Sequence, residues 1–279
     1  MKTTYSRIFY NIFCTFLGLI YITFLSLMPN EWFRDRDNYL IYANSSDIIM
    51  NSYSGFVLFF NEPLFLLLNN YLNLFLNYNY IPNLYVFLFA TAFFIGLKKY
   101  SKNFITFILG ILLSLTVPYM LQSELVALRQ SIGTAVLIFS FLYVKSDKKL
   151  ALIILLCSFI HSIFFLFFAF FILNFILLKE LSLNKKIIIN FVLMVVFSVF
   201  SIALAKFFGL RQGDEYAQNM NVEKSGGAFI LFLGVFIYLH FFTESDDKRL
   251  HAFAMLGLVI FLTAYFLTPI SGRLFNTII

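Results

Sequence analysis

The sequence predicts an all-α fold, a polytopic bundle of transmembrane helices with about nine to ten membrane segments, one of them a re-entrant candidate. Composition points there first. Hydrophobic residues make up 61% of the chain and charged residues 12%, against the ~45–50% apolar fraction of soluble domains. Mean hydropathy is +0.87. The second observation is the length of the apolar runs: Ile8–Met28, Asn103–Met120, Leu150–Leu178, Lys186–Phe208 and Leu250–Leu267 suit the ~20 residues that cross a hydrocarbon core ~30 Å thick. Third, these runs are continuously apolar rather than alternating, which disfavours a β-barrel. Polar stretches reach only about 20 residues, too short to bury a soluble core, so residues 1–279 read as one integral membrane domain. The net charge of +6 reflects lysines at helix ends and not nucleic-acid binding. Cys14 and Cys157 stand far apart in apolar runs, giving neither a disulfide framework nor a metal site.

Lysine and arginine in short loops set the expected orientation. Lys2 and Arg7 place the N-terminus in the cytoplasm, and Ile8–Met28 lacks a small-residue cleavage site, so it reads as an uncleaved first helix. A charged, aromatic segment follows, Glu31–Gly55, expected outside. Phe56–Leu76 is long enough to span but is interrupted by Asn61-Glu62-Pro63. Proline disfavours helix at the residue before it and suits the first turn of a helix that begins there. Pro63–Leu76 alone would be about 21 Å long, short of a full span. Taking it as re-entrant also keeps Lys98, Lys99 and Lys102 inside, at the end of the Pro82–Leu97 helix.

Asn103–Met120 then leads out, Leu121–Gln130 is an external loop, and Ser131–Val144 returns to Lys145, Lys148 and Lys149. As one helix Leu150–Leu178 would be about 43 Å long, too long without steep tilt. It reads instead as two segments hinged near His161-Ser162. Lys186–Phe208 exits, Gly209–Gly227 is external, Ala228–Phe242 enters and Leu250–Leu267 exits. The end, TPISGRLFNTII, stops where another inward helix would begin and suggests a short or truncated C-terminus.

The two sides then differ. Lysines gather inside, while Arg34, Arg36, Arg129, Arg211 and Arg273 fall at the outer edge with Glu62, Glu124 and His161. Arginine binds phosphate through a planar, permanently charged fork, so this cluster points to an anionic ligand such as a lipid phosphate or pyrophosphate. Within it, Arg34-Asp35-Arg36-Asp37-Asn38-Tyr39 with Tyr42 is either a solvated loop of local ion pairs or a sugar-phosphate site. Glu62 is a good helix cap, and at membrane depth it also needs water or a partner. Arg129 is either a snorkelling side chain or, with Glu124 and Gln130, part of a compact polar set in which Glu124 is a candidate base. His161 lies alone in a long apolar run, where an ionisable residue suggests function. His240 and His251, near cytoplasmic helix ends, read as structural. Arg273 should sit at the outer mouth of the last helix, and the charges of Arg211–Tyr216 read as solvent-facing.

In order, RDRDNY, NEPLF, LRQSIGTAV, FIHSIFF and SGRLFN resemble the EpsG-like branch of the Wzy-type polymerases. These bacterial inner-membrane enzymes polymerise O-antigen, capsule or exopolysaccharide repeat units. The similarity spans Arg34 to Asn276. It implies a multi-pass protein of the cytoplasmic membrane, N-terminus inside, with its active face periplasmic or extracellular. It implies glycosyl transfer from an undecaprenyl-pyrophosphate-linked oligosaccharide, without a cofactor or metal. Partners implied are that lipid-linked glycan and the bilayer, with chain-length regulator and flippase proteins as candidates. Onto matching residues it places Arg34 and Asp35, with Arg36 and Tyr39 beside them, Arg129, Gln130 and Arg273 on pyrophosphate or sugar. Glu62, Glu124 and His161 become the candidate base or sugar ligands. The family continues for further helices after the late arginine, and this chain does not.

Three rival readings remain. A lipid-linked oligosaccharide flippase or transporter should show internal repeats and mid-membrane charges in both halves. The second is a sugar acyltransferase or another lipid-phosphate-sugar glycosyltransferase, the latter often carrying paired acids in its first external loop, as Asp35 and Asp37 would be; a non-catalytic membrane subunit, the third, would need none of these residues.

Overall fold

The computed structural model describes residues 2–33, 35–207, 226–243, 245 and 247–267, and among them every regular element is helical. In chain order these are α1 (Lys2–Ser26), α2 (Arg36–Asn51), α3 (Val57–Phe60), α4 (Pro63–Asn73), α5 (Ile81–Tyr100), α6 (Phe104–Thr116) and α7 (Pro118–Leu125). They continue with α8 (Leu128–Tyr143), α9 (Asp147–Ser158), α10 (Ile163–Phe171, prolonged by a π-helical turn over Ile172–Leu177), α11 (Leu183–Phe207), α12 (Gly227–Phe241) and α13 (Lys248–Ala264).

Among the described residues three stretches are long and apolar enough to cross a membrane, Ile8–Ser26, Tyr78–Tyr100 and Leu183–Phe200; α6 and α7, bent by 78°, pass the same test only as a pair, as a broken span or a re-entrant loop. The chain is thus a helical membrane protein, with other apolar helices of 10–17 residues beside the long ones. Several expected spans are shorter than a full crossing or are broken. Asn103–Met120 is not one helix: Val117 is extended and Pro118 starts α7, as a proline without an amide hydrogen requires. The expected loop Leu121–Gln130 is mostly helical, split between α7 and α8. The segment Glu31–Gly55, for which the sequence suggests only an outer location, contains the whole of α2. By contrast, the breaks at Asn61-Glu62 and at His161-Ser162 lie where the sequence places them.

The chain divides into two compact units. Unit 1 is Met1–Tyr53 with Glu62–Phe164. Its centre is α5, which packs on α1 and α8, while α2 lies against α4 and α9 doubles back along α8. Close approach is built in with glycine. A Cβ on Gly18 of α1 would fall 2.1 Å from the Phe94 ring of α5, and one on Gly133 of α8 would fall 2.4 Å from the Phe164 ring. In both places the missing side chain lets a phenyl ring of another helix lie directly on the glycine backbone, a use of small residues at helix contacts where lipid supplies no hydrophobic drive. Polar ties add direction. Asn83 of α5 donates to the carbonyls of Ser26 and Met28 at 2.7 and 3.3 Å, satisfying the C-terminal end of α1. Tyr85 donates to Asn69 of α4 at 3.0 Å, and Tyr39 and Tyr42 of α2 meet the Phe65 ring of α4 edge-on.

Unit 2 is Ser54–Asn61 with Phe165–Ile279. In it α13 packs on α11 and α12, and an aromatic cluster surrounds Phe253, with Phe167, Phe170 and Phe175. Asn174, in the π-helical turn, and Asn190 of α11 exchange side-chain hydrogen bonds in both directions, at 3.0 and 2.7 Å. Both amides are buried.

Candidate functional site

Three segments far apart in sequence bring one carboxylate, one guanidinium and one imidazole together inside unit 1. The carboxylate is Glu62, which caps α4 ahead of Pro63. Its backbone is left-handed, with φ 62° and ψ 49°, and it is the one non-glycine residue at positive φ among those described. A non-glycine residue held there costs on the order of 1–3 kcal/mol and persists only when its surroundings fix it. Those surroundings are visible. The Glu62 carbonyl accepts from the Phe65 and Leu66 amides at 3.0 and 3.2 Å, and the Leu64 amide donates to the Phe159 carbonyl at the end of α9 at 2.9 Å. The strained turn therefore ties α4 to the α9–α10 break and aims the Glu62 side chain inward.

Inside, Glu62 Oε2 pairs with Arg129 Nη1, and Glu62 Oε1 with His161 Nδ1. The partners lie 67 and 99 residues away in the chain. Arg129 is the second residue of α8, and its guanidinium lies 5.1 Å from the Tyr42 ring centroid and 6.0 Å from that of Tyr39. The Tyr42 hydroxyl is 3.4 Å from Nη1. Its buried Nε has no hydrogen-bond partner among the described residues. His161 stands between α9 and α10, its amide donating to the Cys157 carbonyl at 2.9 Å. Helical packing there is broken, so the ring leaves the helix face and meets Glu62. Burial opposes the charge of Glu62, but Arg129 and His161 outweigh it and hold the carboxyl well below the usual carboxylate range. Glu62 is therefore an ionised hinge between a cation and a histidine, poorly suited to take a proton itself.

The other candidates fall elsewhere. Glu124 of α7 is buried, and its Oε1 accepts from Tyr21 of α1, while Oε2 has no partner. No hydrogen bond or ion pair joins it to Glu62, Arg129 or His161 among the described residues. Arg36, 1% exposed, donates from Nε to the Leu125 carbonyl at 3.0 Å and from Nη1 to Asn30 at 2.9 Å, with its guanidinium 5.0 Å from the Phe33 ring. Burial brings it down to about 10. It fastens α2 to the end of α7. Asp35 is exposed at the start of α2, Tyr39 flanks Arg129, and Gln130 is buried next to it on α8. Arg34, Arg273 and the Arg211–Tyr216 segment lie outside the described residues. Tyr21 was not legible from sequence: it is an ordinary tyrosine in an apolar helix. No group of three or more His, Cys, Asp or Glu gathers at one point among the described residues.

A buried base-and-cation arrangement of this kind can orient an imidazole and present positive charge to an anion. The chain matches the family model described as the EpsG family over residues 8–279, and it belongs to that family. No curated protein and no solved structure matches it. The family is associated with membrane proteins of the polysaccharide-polymerase kind.

Proposed function

From membership of the EpsG family and this site, we propose that the chain is a glycosyltransferase that polymerises undecaprenyl-pyrophosphate-linked oligosaccharide repeats. Its products would be O-antigen, capsule or exopolysaccharide, made at the outer face of the bacterial cytoplasmic membrane. The observation that carries this reading is Glu62 bridging Arg129 and His161. With Nδ1 sharing its proton with Glu62, the neutral imidazole keeps its lone pair on Nε2. That nitrogen takes the proton of the acceptor hydroxyl as its oxygen attacks the anomeric carbon. The bond from that carbon to the pyrophosphate oxygen breaks, and its electron pair leaves with the lipid pyrophosphate. Arg129 stabilises the charge that develops on the departing group. Arg273 is a further candidate for that charge. The remaining partners, chain-length regulator and flippase proteins, belong to the same proposal.

Deleting the gene and resolving the surface glycan on a gel tests it. The expected result is loss of the ladder with single repeats retained. An unchanged ladder refutes the proposal, and lipid-linked repeats accumulating on the cytoplasmic side would mark a flippase instead.

A further inference from the structure

The buried residues of α2 are Arg36, Tyr39, Tyr42, Ala43 and Ser46. They step by three and four residues and so share one helical face. At the start of that face Arg36 donates from Nε to the Leu125 carbonyl at 3.0 Å. Leu125 is the last residue of α7, and α8 begins at Leu128. A helix end leaves its last carbonyls unsatisfied, and Arg36 caps this one with a cation, the charge that a C-terminus favours. The capped carbonyl stands four residues before Arg129.

Further along α2, Tyr39 and Tyr42 flank Arg129 itself, with ring centroids 6.0 and 5.1 Å from the guanidinium carbon. The same two rings meet Phe65 edge-on, at centroid distances of 6.3 and 5.6 Å. The Phe65 amide in turn donates to the Glu62 carbonyl at 3.0 Å. One face of α2 therefore reaches both halves of the ion pair, Arg129 through the rings and Glu62 through Phe65. Arg36 is 1% exposed and the two tyrosines 7% each, so their surface is covered by the protein and little of it is open to a ligand.

We propose that α2 is a brace, in which Arg36, Tyr39 and Tyr42 are positioning residues that hold the Arg129 fork in line with Glu62 and act on the reaction only through it. The inference rests on the reading of Arg129 as the group that meets the charge of the departing pyrophosphate. Arg36 and Tyr39, which the family resemblance places on pyrophosphate or sugar, thereby become supports of the site and not ligands of the substrate. The two roles differ chemically. A tyrosine that binds substrate works through its hydroxyl, whereas one that braces a guanidinium works through its ring, which phenylalanine keeps.

The test uses the purified full-length chain in detergent and phenylglyoxal, which modifies arginine, with the rate at each arginine read by mass spectrometry. Tyr42→Leu should raise the rate at Arg129 about tenfold, the factor for losing one desolvated cation–π contact, while Arg249 of α13 keeps its wild-type rate. Tyr42→Phe loses only a long hydroxyl contact and should stay within about threefold of wild type. Arg36→Met keeps the apolar stem but uncaps the Leu125 carbonyl, and should also accelerate Arg129; Arg36→Lys restores a donor and should reverse part of the rise. In cells the glycan ladder should follow the same order, weak in Tyr42→Leu and Arg36→Met and strong in Tyr42→Phe. An unchanged Arg129 in Tyr42→Leu and Arg36→Met, Arg129 and Arg249 accelerating together, or a Tyr42→Phe ladder as weak as that of Tyr42→Leu overturns the brace. Modification needs no glycan, so the two readings separate. An accelerated Arg129 in a chain that makes no ladder refutes polymerisation alone, and a ladder with an unchanged Arg129 refutes the brace alone.

Discussion

Replacing Glu62 by glutamine keeps the shape of the side chain and removes its charge. Arg129, whose side chain is 16% exposed, would then be a mostly buried cation opposite a neutral amide. Removing one partner of a buried ion pair costs about 3–5 kcal/mol, chiefly through the charge left behind. In a chain of this size that is a fall of about 6–10 °C in the unfolding midpoint, at roughly 2 °C per kcal/mol. The double variant Glu62→Gln with Arg129→Gln removes the stranded charge as well, so it should be more stable than Glu62→Gln alone. That inverted order is the signature of coupling between neighbours. Thermal unfolding of the purified proteins in one detergent, followed by intrinsic fluorescence, measures it. Additive losses, with the double variant the least stable of the series, would refute the claim that Glu62 serves to neutralise Arg129. The same glutamine variant should lose about 10²–10⁴-fold in polymer formation, because His161 loses the group that fixes its proton.

Other outcomes follow from the same contacts. Arg129→Lys keeps the charge but not the fork, and should abolish the glycan ladder while the protein still accumulates in the membrane; full activity would remove Arg129 from pyrophosphate binding. Glu124→Gln should retain the ladder, since Glu124 touches Tyr21 and not the charged cluster. A folded variant without a ladder would return Glu124 to the chemistry. Tyr21→Phe strips the hydroxyl that donates to the buried Glu124 carboxyl and should cost about 1–3 kcal/mol in thermal unfolding. Gly133→Ala places a methyl 2.4 Å from the Phe164 ring and should destabilise by about 1–3 kcal/mol; an unchanged midpoint would show that the ring yields freely.

The helices that cross apolar surroundings were legible because continuous hydrophobicity is a local property, as in α1, α5 and α11. The break at Glu62-Pro63 was legible for another local reason, the restriction that proline imposes on the residue before it. Length alone exposed the hinge at His161, since one helix over Leu150–Leu178 would overrun the bilayer. Pro118 carried the same kind of signal, but the apolar run around it masked the bend between α6 and α7. The helix α2 was hidden in a segment of mixed charge and aromatic residues, where hydropathy has no period to show; its order comes from packing on α4. The sequence also singled out Glu62, Arg129 and His161 separately. It could not pair them, because their meeting depends on how α4, α8 and the α9–α10 break pack, and one chain's pattern does not encode contacts 67 and 99 residues apart.

The reciprocal asparagines of unit 2 bear on how the protein enters its membrane. An amide carried alone into hydrocarbon must leave its hydrogen-bonding groups unsatisfied or find another helix. Asn174 and Asn190 each supply what the other lacks, across a connection of only a few residues between the π-helical turn and α11. Each amide also donates to its own helix, Asn174 to the Phe170 carbonyl at 2.9 Å and Asn190 to the Lys186 carbonyl at 2.7 Å, so pairing the two helices satisfies the side-chain oxygens that neither helix can satisfy alone. The pair also fixes their register, because a slide of one turn would separate both amides at once.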